Sequence, residues 1–506
     1  MVKHRGGALL LTLELDRDSA RPISTQLYMA LREVILSGGL GAGERLPASR
    51  TLASDLGISR TTVNDALERL AAESLVESRV GAGTFVSQAL KAERPMPPPR
   101  SRQGRRFSRK PRLAGAMSRA IAGFVERQRL PHQPRAFMTA LPALDAFPMA
   151  QWSRLMAKHW RAGRDEVMGY GAPNGYEPLR RAIAGHLRAS RGIPCEADQI
   201  FITEGAQQAF HLIGSVLLDP NDKVWFENPG AIGACNGLVA SGADLVPVPI
   251  DAEGLRVEVG LRKAPSFRLA FVTPSHHQPL GVIMSLERRF ALLQAAERAG
   301  AWIIEDDYDG EFCYGRRPLP TLKSVDTTGR VIYVGTFSKS LFPSLRLGYL
   351  LAPPALVEVF ERLASAFLPG VPTSLQAVTA EFVEEGFFAA HVRRMRRIYA
   401  ERHQALCEAA KERLGGLLEV VPTESGLHTI GHLPPNLAET MVAAAAAQRG
   451  IFVSPIRRFC LKPTGISGLV LGFGSIPPKE IRAGVEGLGQ VLEGLARKGS
   501  RRRAAT

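Results

Sequence analysis

The stretch Val334–Leu351, VGTFSKSLFPSLRLGYLL, decides which fold we predict for this chain. An apolar run enters a turn of small residues there, and Lys339 follows at once. A lysine at the carboxyl end of a strand is either a solvated loop residue or the amine that carries an aldehyde cofactor as a Schiff base. Thr336 and Ser338 place hydroxyl groups beside this lysine, and Arg346 offers a planar fork that suits a phosphate. These neighbours favour the cofactor over the solvated lysine.

A second apolar run lies upstream, where AWIIEDD at Ala301–Asp307 is typical of a buried strand that ends in carboxylates. An aspartate such as Asp306 could hold a pyridinium nitrogen protonated, and a protonated ring is what makes pyridoxal phosphate an electron sink. Together with Lys339, this stretch predicts a site for pyridoxal phosphate.

Strands and helices alternate around these two stretches, which predicts an α/β domain with a mostly parallel sheet covered on both faces. The predicted strands are Gln199–Thr203, Lys223–Glu227, Leu245–Ile250, Leu269–Thr273, Ala301–Asp306 and Val331–Val334. Ligands bind at the carboxyl ends of strands in such sheets, which is where Lys339 and Asp306 lie. After the first of these strands, Gly205, Ala206 and Gln207 begin a helix and offer either a phosphate cradle or an ordinary tight turn.

Length and composition bound the class of protein. A chain of 506 residues predicts roughly two to four domains. Hydrophobic residues make up 45%, yet no apolar stretch approaches the roughly 20 residues that a membrane span needs. The N-terminus lacks the pattern of a signal peptide. Five dispersed cysteines without a CxxC pair indicate reduced thiols in a cytoplasmic protein, with no disulfide framework and no metal site.

The net charge of +16 suggests a polyanionic partner, and its distribution places the basic residues outside the large domain. Residues 1–90 hold ten basic and ten acidic side chains, whereas residues 91–134 hold twelve basic and two acidic ones. We therefore predict a Pro/Arg-rich basic linker at 89–133 and a basic tail at 495–506. The linker is either a solvated tether or a polycation that contacts DNA phosphates without sequence preference.

The N-terminal region predicts a helix-turn-helix followed by a hairpin. The run Pro22–Ser37 places its apolar residues on one helical face, and a short helix begins near Ser49. Ser59 is a suitable N-cap for a third helix. Two short strands then alternate around the glycine-rich turn at 81–83, which includes Gly83.

Polar side chains lie at the starts of the second and third predicted helices, where a helix-turn-helix meets DNA phosphates and base edges. They are Arg50, Thr51, Ser59, Arg60, Thr61, Thr62 and Asn64. Periodicity alone leaves open whether this face binds DNA or belongs to a small protein-interaction module.

A resemblance favours DNA. Residues 20–87, and above all the run LPASRTLASDLGISRTTVNDALERLAAESLVESRVGAGTFV, resemble the winged helix-turn-helix of the GntR family. The resemblance implies a DNA-binding domain at 13–88 that binds operator DNA as a dimer. It places Arg50, Ser59, Arg60 and the two threonines after Arg60 at DNA-contacting positions, with Gly83 in the wing. Asn64 sits where many relatives carry another residue.

The large domain, 134–494, resembles the fold-type I aminotransferases, and its fusion behind a winged helix resembles the MocR family of transcriptional regulators. The motifs that carry this resemblance are YGAPNGYEPLR, TEGAQQA, TPSHHQPLG, EDDYDGEF and GTFSKSLFPSLRLGYL. It implies that Lys339 forms the Schiff base, that Asp306 pairs with the pyridine nitrogen, and that Tyr308 donates to the phenolic oxygen. The other implied cofactor-binding residues are Gly205, Ala206, Gln207, His276, Thr336, Ser338 and Arg346.

The resemblance also implies a head-to-tail homodimer, because Tyr170 matches a tyrosine that reaches the cofactor phosphate of the neighbouring subunit. Two positions depart from the enzymes. Ala231 stands where relatives usually place an aromatic residue that stacks on the cofactor ring, and His276 or His277 would be the substitutes. Val470 stands where aminotransferases carry an arginine that binds the substrate carboxylate.

Arg457 and Arg458 either replace that missing arginine or belong to an exposed loop. His277 and Gln278 also differ from the commonest pattern of the relatives.

Three functions fit this sequence. The first is a transcriptional regulator whose operator binding is controlled by pyridoxal phosphate or by an amino compound sensed in the aminotransferase-like domain. The second is a working aminotransferase with an accessory winged helix, which Val470 argues against. The third is a structural DNA-bridging protein, which leaves the cofactor residues unexplained.

Overall fold

The computed structural model describes residues 15–79, 82–91, 112–126, 131–162, 164–314, 318–368 and 370–503. The chain divides into two compact units, Met1–Pro111 and Arg112–Thr506. Among the helices within the described ranges, none is both long enough and apolar enough to cross a membrane.

The described residues of the first unit form three α-helices and a two-stranded hairpin. The elements are α1 (Ile23–Ser37), α2 (Ser49–Leu56), α3 (Arg60–Ala72), β1 (Val76–Arg79) and β2 (Gly83–Val86). Gly38 and Gly57 adopt positive φ angles at the ends of α1 and α2, a conformation that glycine adopts without the steric cost of a Cβ. The two strands pair antiparallel, which confirms the predicted hairpin.

Apolar residues at helical spacing form the core of this unit, as predicted. Leu27 and Leu31 of α1, Leu52 of α2, and Val63 and Leu70 of α3 are all buried in one cluster. Because these positions recur every three or four residues, the three helices can bury one face each and leave the opposite faces exposed.

The second unit is built on an eight-stranded sheet. Its strands are β3 (Ile200–Thr203), β4 (Lys223–Asn228), β5 (Asp244–Asp251), β6 (Gly254–Leu255), β7 (Leu269–Val272), β8 (Trp302–Asp307), β9 (Val331–Thr336) and β10 (Gly348–Leu351). The spatial order is β3-β10-β9-β8-β7-β4-β5-β6, with β10 and β6 antiparallel to their neighbours. The predicted mostly parallel sheet is therefore confirmed.

Helices cover this sheet, and the central strands are buried on both faces. All four residues of β7 are buried, and their side chains alternate between two separate apolar clusters. The helices of the second unit are α4 (Gly115–Gly123), α5 (Met149–Ala162), α6 (Arg164–Met168), α7 (Glu177–His186), α8 (Ala206–Leu217), α9 (Ile232–Ala240), α10 (Val257–Lys263), α11 (Leu286–Ala299), α12 (Phe337–Ser340), α13 (Val357–Phe367), α14 (Thr373–Glu384), α15 (Phe387–Arg413), α16 (Glu439–Ala447) and α17 (Pro478–Arg503).

A smaller antiparallel sheet follows α15. Its strands are β11 (Glu419–Val420), β12 (His428–His432), β13 (Ser454–Pro455) and β14 (Gly468–Gly472), in the order β11-β12-β14-β13. The long helices α15 and α17 pack against each other beside it. This small sheet supplies residues to the site described below.

The predicted linker and tail are described only in part. Most of the linker, residues 92–111 and 127–130, lies outside the described residues. Within it, α4 packs against α9 and so belongs to the second unit. At the other end, α17 continues from the domain into the basic tail as far as Arg503.

Candidate functional site

A cavity lies at the carboxyl ends of β3, β8 and β9, where the sheet topology predicts a ligand. Nine of the eleven predicted cofactor residues line it: Gly205, Ala206, Gln207, Asp306, Tyr308, Thr336, Ser338, Lys339 and Arg346. The chain therefore brings these nine together, although they come from three separate motifs.

Lys339 lies on the short helix α12, directly after β9. The Thr336 side chain caps this helix by accepting a hydrogen bond from the Ser338 backbone N–H at 3.2 Å. This cap fixes the turn that presents the lysine. The Lys339 Nζ donates a hydrogen bond at 2.8 Å to the carbonyl oxygen of Ala140, so its amine points into the cavity toward a distant segment of the chain.

One end of the cavity has the features of an anion site. Gly205 adopts a φ of 91° as the N-cap of α8, which begins at Ala206. A Cβ added to Gly205 would lie 3.7 Å from Arg346 Nη1, so the guanidinium lies beside the helix N-terminus. Arg346 is held there because its Nη2 donates to the Glu204 carbonyl oxygen at 2.7 Å. Helix N-termini and guanidinium groups both attract phosphates.

Asp306 closes the other end of the site at the carboxyl end of β8. It is 5% exposed, and its Oδ1 has no hydrogen-bond partner among the described residues. Burial, with Asp307 and Asp309 nearby, raises the pKa of Asp306 well above its ordinary value. A buried carboxyl oxygen without a hydrogen-bond partner is suited to a cationic or N–H group of a ligand.

Tyr308 is held by a buried histidine, which in turn contacts a buried aspartate. The Nδ1 of His276 lies 3.1 Å from the Tyr308 hydroxyl and 3.0 Å from Asp309 Oδ2. His276 therefore sits behind Tyr308 and does not line the cavity, unlike the other cofactor residues of the same subunit. His276, Asp309 and His428 also bring three potential metal-ligating atoms within 4.8 Å of one another.

A smaller pocket, which we call the inner pocket, adjoins the cavity beside Lys339. Thr139, Ala140, Gln278, Tyr308 and Phe459 line both spaces. The inner pocket is completed by Pro279, Asp309, Leu427, His428 and Val470. It lies between the large sheet and the small sheet, because Val470 belongs to β14 and His428 to β12.

Several of these lining residues were absent from the sequence prediction. Thr139 and Ala140 precede the large sheet in an irregular segment, and no motif indicated them. Gln278 follows His276 in TPSHHQPLG, so the motif itself was the available signal. Arg458, by contrast, was considered as a replacement for the missing arginine, and it lines the larger cavity, where its Nη2 donates to the Glu126 carbonyl oxygen at 2.9 Å.

The predicted substitutes for the missing aromatic residue do not reach the cavity. Ala231 is buried at the N-terminus of α9, and its neighbour Ile232 lines the cavity. His276 and His277 are each 2% exposed and line neither space.

Tyr170 is fully exposed and does not line the cavity of its own chain. Its side chain is therefore available to a second molecule, which is the role that the resemblance implies.

The winged helix presents the predicted DNA-binding residues on its surface. Arg50, Thr51, Arg60, Thr61 and Asn64 are exposed on α2 and α3. Ser59 caps α3 by accepting from the Thr62 backbone N–H at 3.1 Å, and Thr62 is half-buried. Gly83 has a φ of 106° in the hairpin, where an added Cβ would lie 3.0 Å from Arg45 Nε.

Comparisons with known proteins agree with this two-part organisation. The family model of GntR-family bacterial regulatory proteins matches residues 23–86, and that of class I and II aminotransferases matches residues 146–468. The chain is 39% identical over 496 residues to the probable rhizopine catabolism regulatory protein MocR of Rhizobium meliloti, covering 96% of this chain and 97% of that protein. The chain belongs to the MocR family of transcriptional regulators. Its predicted fold class is thereby confirmed.

Other members of this family match over almost their whole length. The chain is 32% identical to the HTH-type transcriptional regulator TauR of Rhodobacter capsulatus, covering 92% of this chain and 96% of TauR. It is 29% identical to the pyridoxine biosynthesis transcriptional regulator PdxR of Corynebacterium glutamicum, covering 92% and 95%. The MocR-family chain described here is accordingly a DNA-binding transcriptional regulator.

Solved aminotransferases share the fold of the second unit. The kynurenine aminotransferase of Pyrococcus horikoshii aligns with a TM-score of 0.66 at 28% identity, covering 71% of this chain and 90% of the enzyme. LysN, an α-aminoadipate aminotransferase of Thermus thermophilus, aligns with a TM-score of 0.67 at 26% identity, covering 76% and 96%. This MocR-family domain therefore has the aminotransferase class I and II fold, which implies pyridoxal phosphate as its cofactor.

Proposed function

We propose that this regulator binds operator DNA through its winged helix, and that pyridoxal phosphate or an amino compound in the Lys339 cavity controls that binding. One observation carries the proposal: the strand-end cavity combines Lys339 with Asp306, whose buried Oδ1 has no hydrogen-bond partner among the described residues, and with Arg346 at a helix N-terminus. The same chain carries a DNA-binding domain, and DNA binding is the activity that a ligand in this cavity would control.

The residues of the cavity fit pyridoxal phosphate. The buried Asp306 Oδ1, which no described residue satisfies, would accept a hydrogen bond from a protonated pyridine nitrogen. The N-terminus of α8 and Arg346 would hold the phosphate, with Ala206, Gln207 and Ser338 around it. Each end of the cavity thus has the charge that the corresponding end of the cofactor requires.

The remaining residues would position the aldehyde. When bound, pyridoxal phosphate supplies an aldehyde that reacts reversibly with primary amines. Lys339 would hold this group through its Nζ, and the Tyr308 hydroxyl would donate to the phenolic oxygen of the cofactor. His276 would fix the orientation of that hydroxyl, because its Nδ1 lies 3.1 Å from the Tyr308 hydroxyl, and Asp309 would in turn orient the His276 ring. An amine that enters the cavity therefore competes with Lys339 for one group.

Control of DNA binding requires a difference in affinity between two states. A ligand shifts the operator-binding equilibrium only if it binds one conformation of the regulator more tightly than the other. We infer a homodimer, in the head-to-tail arrangement, with Tyr170 of the partner subunit completing each cavity. The exposed hydroxyls and arginines of α2 and α3 would contact the operator, and the regulator would act in the cytoplasm.

The first experiment compares operator binding with and without the cofactor. The full-length protein is titrated at fixed salt against its own upstream DNA and a scrambled fragment, with and without pyridoxal phosphate. We expect a preference for the upstream DNA that changes with the cofactor. In Lys339→Ala, the visible absorption of the bound cofactor and the cofactor effect on DNA should both be lost.

Arg50→Ala is the matched control in the DNA-binding unit. It should weaken operator binding by about tenfold or more, because it removes a charged contact to DNA, while the cofactor absorption stays. If both fragments bind with the same salt-sensitive affinity, and that affinity does not change with the cofactor, the proposed control of operator binding is contradicted and the aminotransferase function is favoured. An unchanged spectrum in Lys339→Ala would contradict the cofactor assignment.

A further inference from the structure

We infer that the effector of this regulator is a primary amine that carries hydroxyl or alkyl groups, and no carboxylate, on the carbon that bears the nitrogen. The inference rests on the proposed function, since it names the class of amine that the Lys339 cavity accepts. It is carried by the side chains of the inner pocket, which directly adjoins Lys339.

Among the described residues that line the inner pocket, the basic side chains are Lys339, which the proposed function assigns to the cofactor, and His428. Asp309, which also lines it, is an acid. His428 is buried and its Nε2 lies 3.1 Å from the Pro279 carbonyl oxygen, so this nitrogen is already engaged by the backbone and not by a ligand. A carboxylate placed here would lose its hydration and meet an anion, which disfavours its binding.

Val470 forms the apolar wall of this pocket. It is 1% exposed and packs in a cluster with Ile430 and Ile456. These two neighbours, on β12 and directly after β13, are also aliphatic, so Val470 belongs to a continuous apolar surface. The wall therefore suits alkyl carbon and offers nothing to a charged group.

The two arginines of the larger cavity do not compensate. Arg346 lies at the phosphate end and donates to Glu204, and Arg458 donates to the Glu126 carbonyl oxygen. Neither lines the inner pocket. The oxygens of a carboxylate on the amine-bearing carbon stay within about 2.5 Å of that carbon, two bond lengths away, so they lie close to Lys339.

Neutral hydrogen-bonding groups do line the inner pocket. The Gln278 amide and the Thr139 hydroxyl each combine donor and acceptor capacity, and both serve alcohols without a charge. Phe459 and Leu427 add apolar surface. A hydroxyl group beside the amine would therefore meet uncharged donors and acceptors in this pocket, whereas a carboxylate there would not meet a cationic partner.

The experiment compares two amines that differ only at this position. The full-length protein loaded with pyridoxal phosphate is titrated with 2-amino-1,3-propanediol and with L-serine, in which a carboxylate replaces one CH2OH group. The readouts are the absorption spectrum of the cofactor and the affinity for the upstream DNA. We expect the diol to reach its half-maximal effect at a concentration at least about tenfold lower than that of L-serine.

Val470→Arg tests the wall directly, with Val470→Leu as the apolar control. We expect the arginine variant to reverse the order of the two amines, because a guanidinium binds a carboxylate in a bidentate manner. The leucine variant should keep the order of the unsubstituted protein. The comparison in the unsubstituted protein decides the inference if the buried arginine prevents folding.

The outcomes separate this inference from the proposed function. A protein that shows no cofactor absorption contradicts the proposed function. A protein that shows it, yet responds to L-serine at an equal or lower concentration than to the diol, or responds to neither amine, overturns the effector class alone.

Discussion

Three consecutive acidic residues at the end of β8 have three different environments. Glu305 accepts hydrogen bonds from two backbone N–H groups, at 2.8 and 2.7 Å, and Asp307 is paired with Arg191. Asp306 alone faces the cavity, because successive side chains of a strand point to opposite faces. Residue type therefore does not distinguish the cofactor carboxylate from its neighbours, whereas the direction of the side chain does.

Asp306 should destabilise the cofactor-free protein as the pH rises. Its pKa is raised in the folded state, so the folded protein holds a proton that the unfolded chain releases above about pH 4. Stability then falls with pH from there toward the folded pKa. For one proton, the free energy of unfolding falls by up to about 1.4 kcal/mol per pH unit, and this fall should be absent in Asp306→Asn. The same variant should lose its stabilisation by pyridoxal phosphate. Thermal unfolding between pH 5 and 8, with and without the cofactor, measures both.

Glu227→Gln is the control for this prediction. Glu227 is fully buried next to Thr273, and burial raises its pKa to about 8, but it does not line the cavity. Its substitution should reduce the same pH dependence while stabilisation by the cofactor remains. If Asp306→Asn keeps that stabilisation, Asp306 does not bind the cofactor.

At the scale of elements, the start of a helix serves stability and recognition at once. Ser59 caps α3, and the Thr336 side chain caps α12, which carries Lys339. In both places a hydroxyl satisfies a backbone N–H that the helix leaves unpaired. Both helices also begin at a face that we expect to meet phosphate groups, those of DNA for α3 and that of the cofactor near α12.

Substitutions of Ser59 separate the cap from DNA binding. Ser59→Ala should cost about 1 kcal/mol of local stability, because the Thr62 N–H loses its acceptor. Ser59→Asp should keep the cap and weaken operator binding, because its charge repels DNA phosphates. Hydrogen exchange at the amides of α3 measures the first effect, and operator titration measures the second. Tight operator binding by Ser59→Asp would show that Ser59 lies away from the DNA backbone.

At the scale of the whole molecule, one residue that was predicted to bind the cofactor, Tyr170, does not line the cavity of its own chain. Tyr170 is fully exposed, and Met168 beside it is 71% exposed. Large exposed side chains of this kind are typical of a surface that a partner covers. A homodimer in which each subunit lends Tyr170 to the other accounts for both the exposure and the predicted role.

Mixing two defective variants tests this shared site. Lys339→Ala removes the cofactor amine, and Tyr170→Ala should weaken phosphate binding in the partner subunit. When the two variants are co-refolded or co-expressed, mixed dimers hold one complete site, so cofactor binding of native affinity should reappear. Absorption titrations of the mixture and of each variant alone provide the measurement. A mixture that binds no better than Tyr170→Ala alone would exclude a shared site.

The sequence by itself determined the local features of this protein. Helical periodicity predicted the buried faces of α1 and α3, the rule for N-caps predicted Ser59, and strand–helix alternation predicted the parallel sheet. Lys339 and Asp306 were found for the same reason, since each lies at the carboxyl end of a predicted strand. All these features depend on residues a few positions apart, whose geometry the backbone fixes.

Only the tertiary structure decided which distant segments surround Lys339. Its hydrogen-bond partner Ala140 lies 199 residues earlier in the chain, and Val470 reaches the inner pocket from a separate sheet. His276 was predicted to bind the cofactor but lies behind Tyr308. No periodicity records such contacts, because they arise when sheets and loops pack against each other. The chemistry of the inner pocket, and with it the class of effector, is therefore a property of the folded molecule.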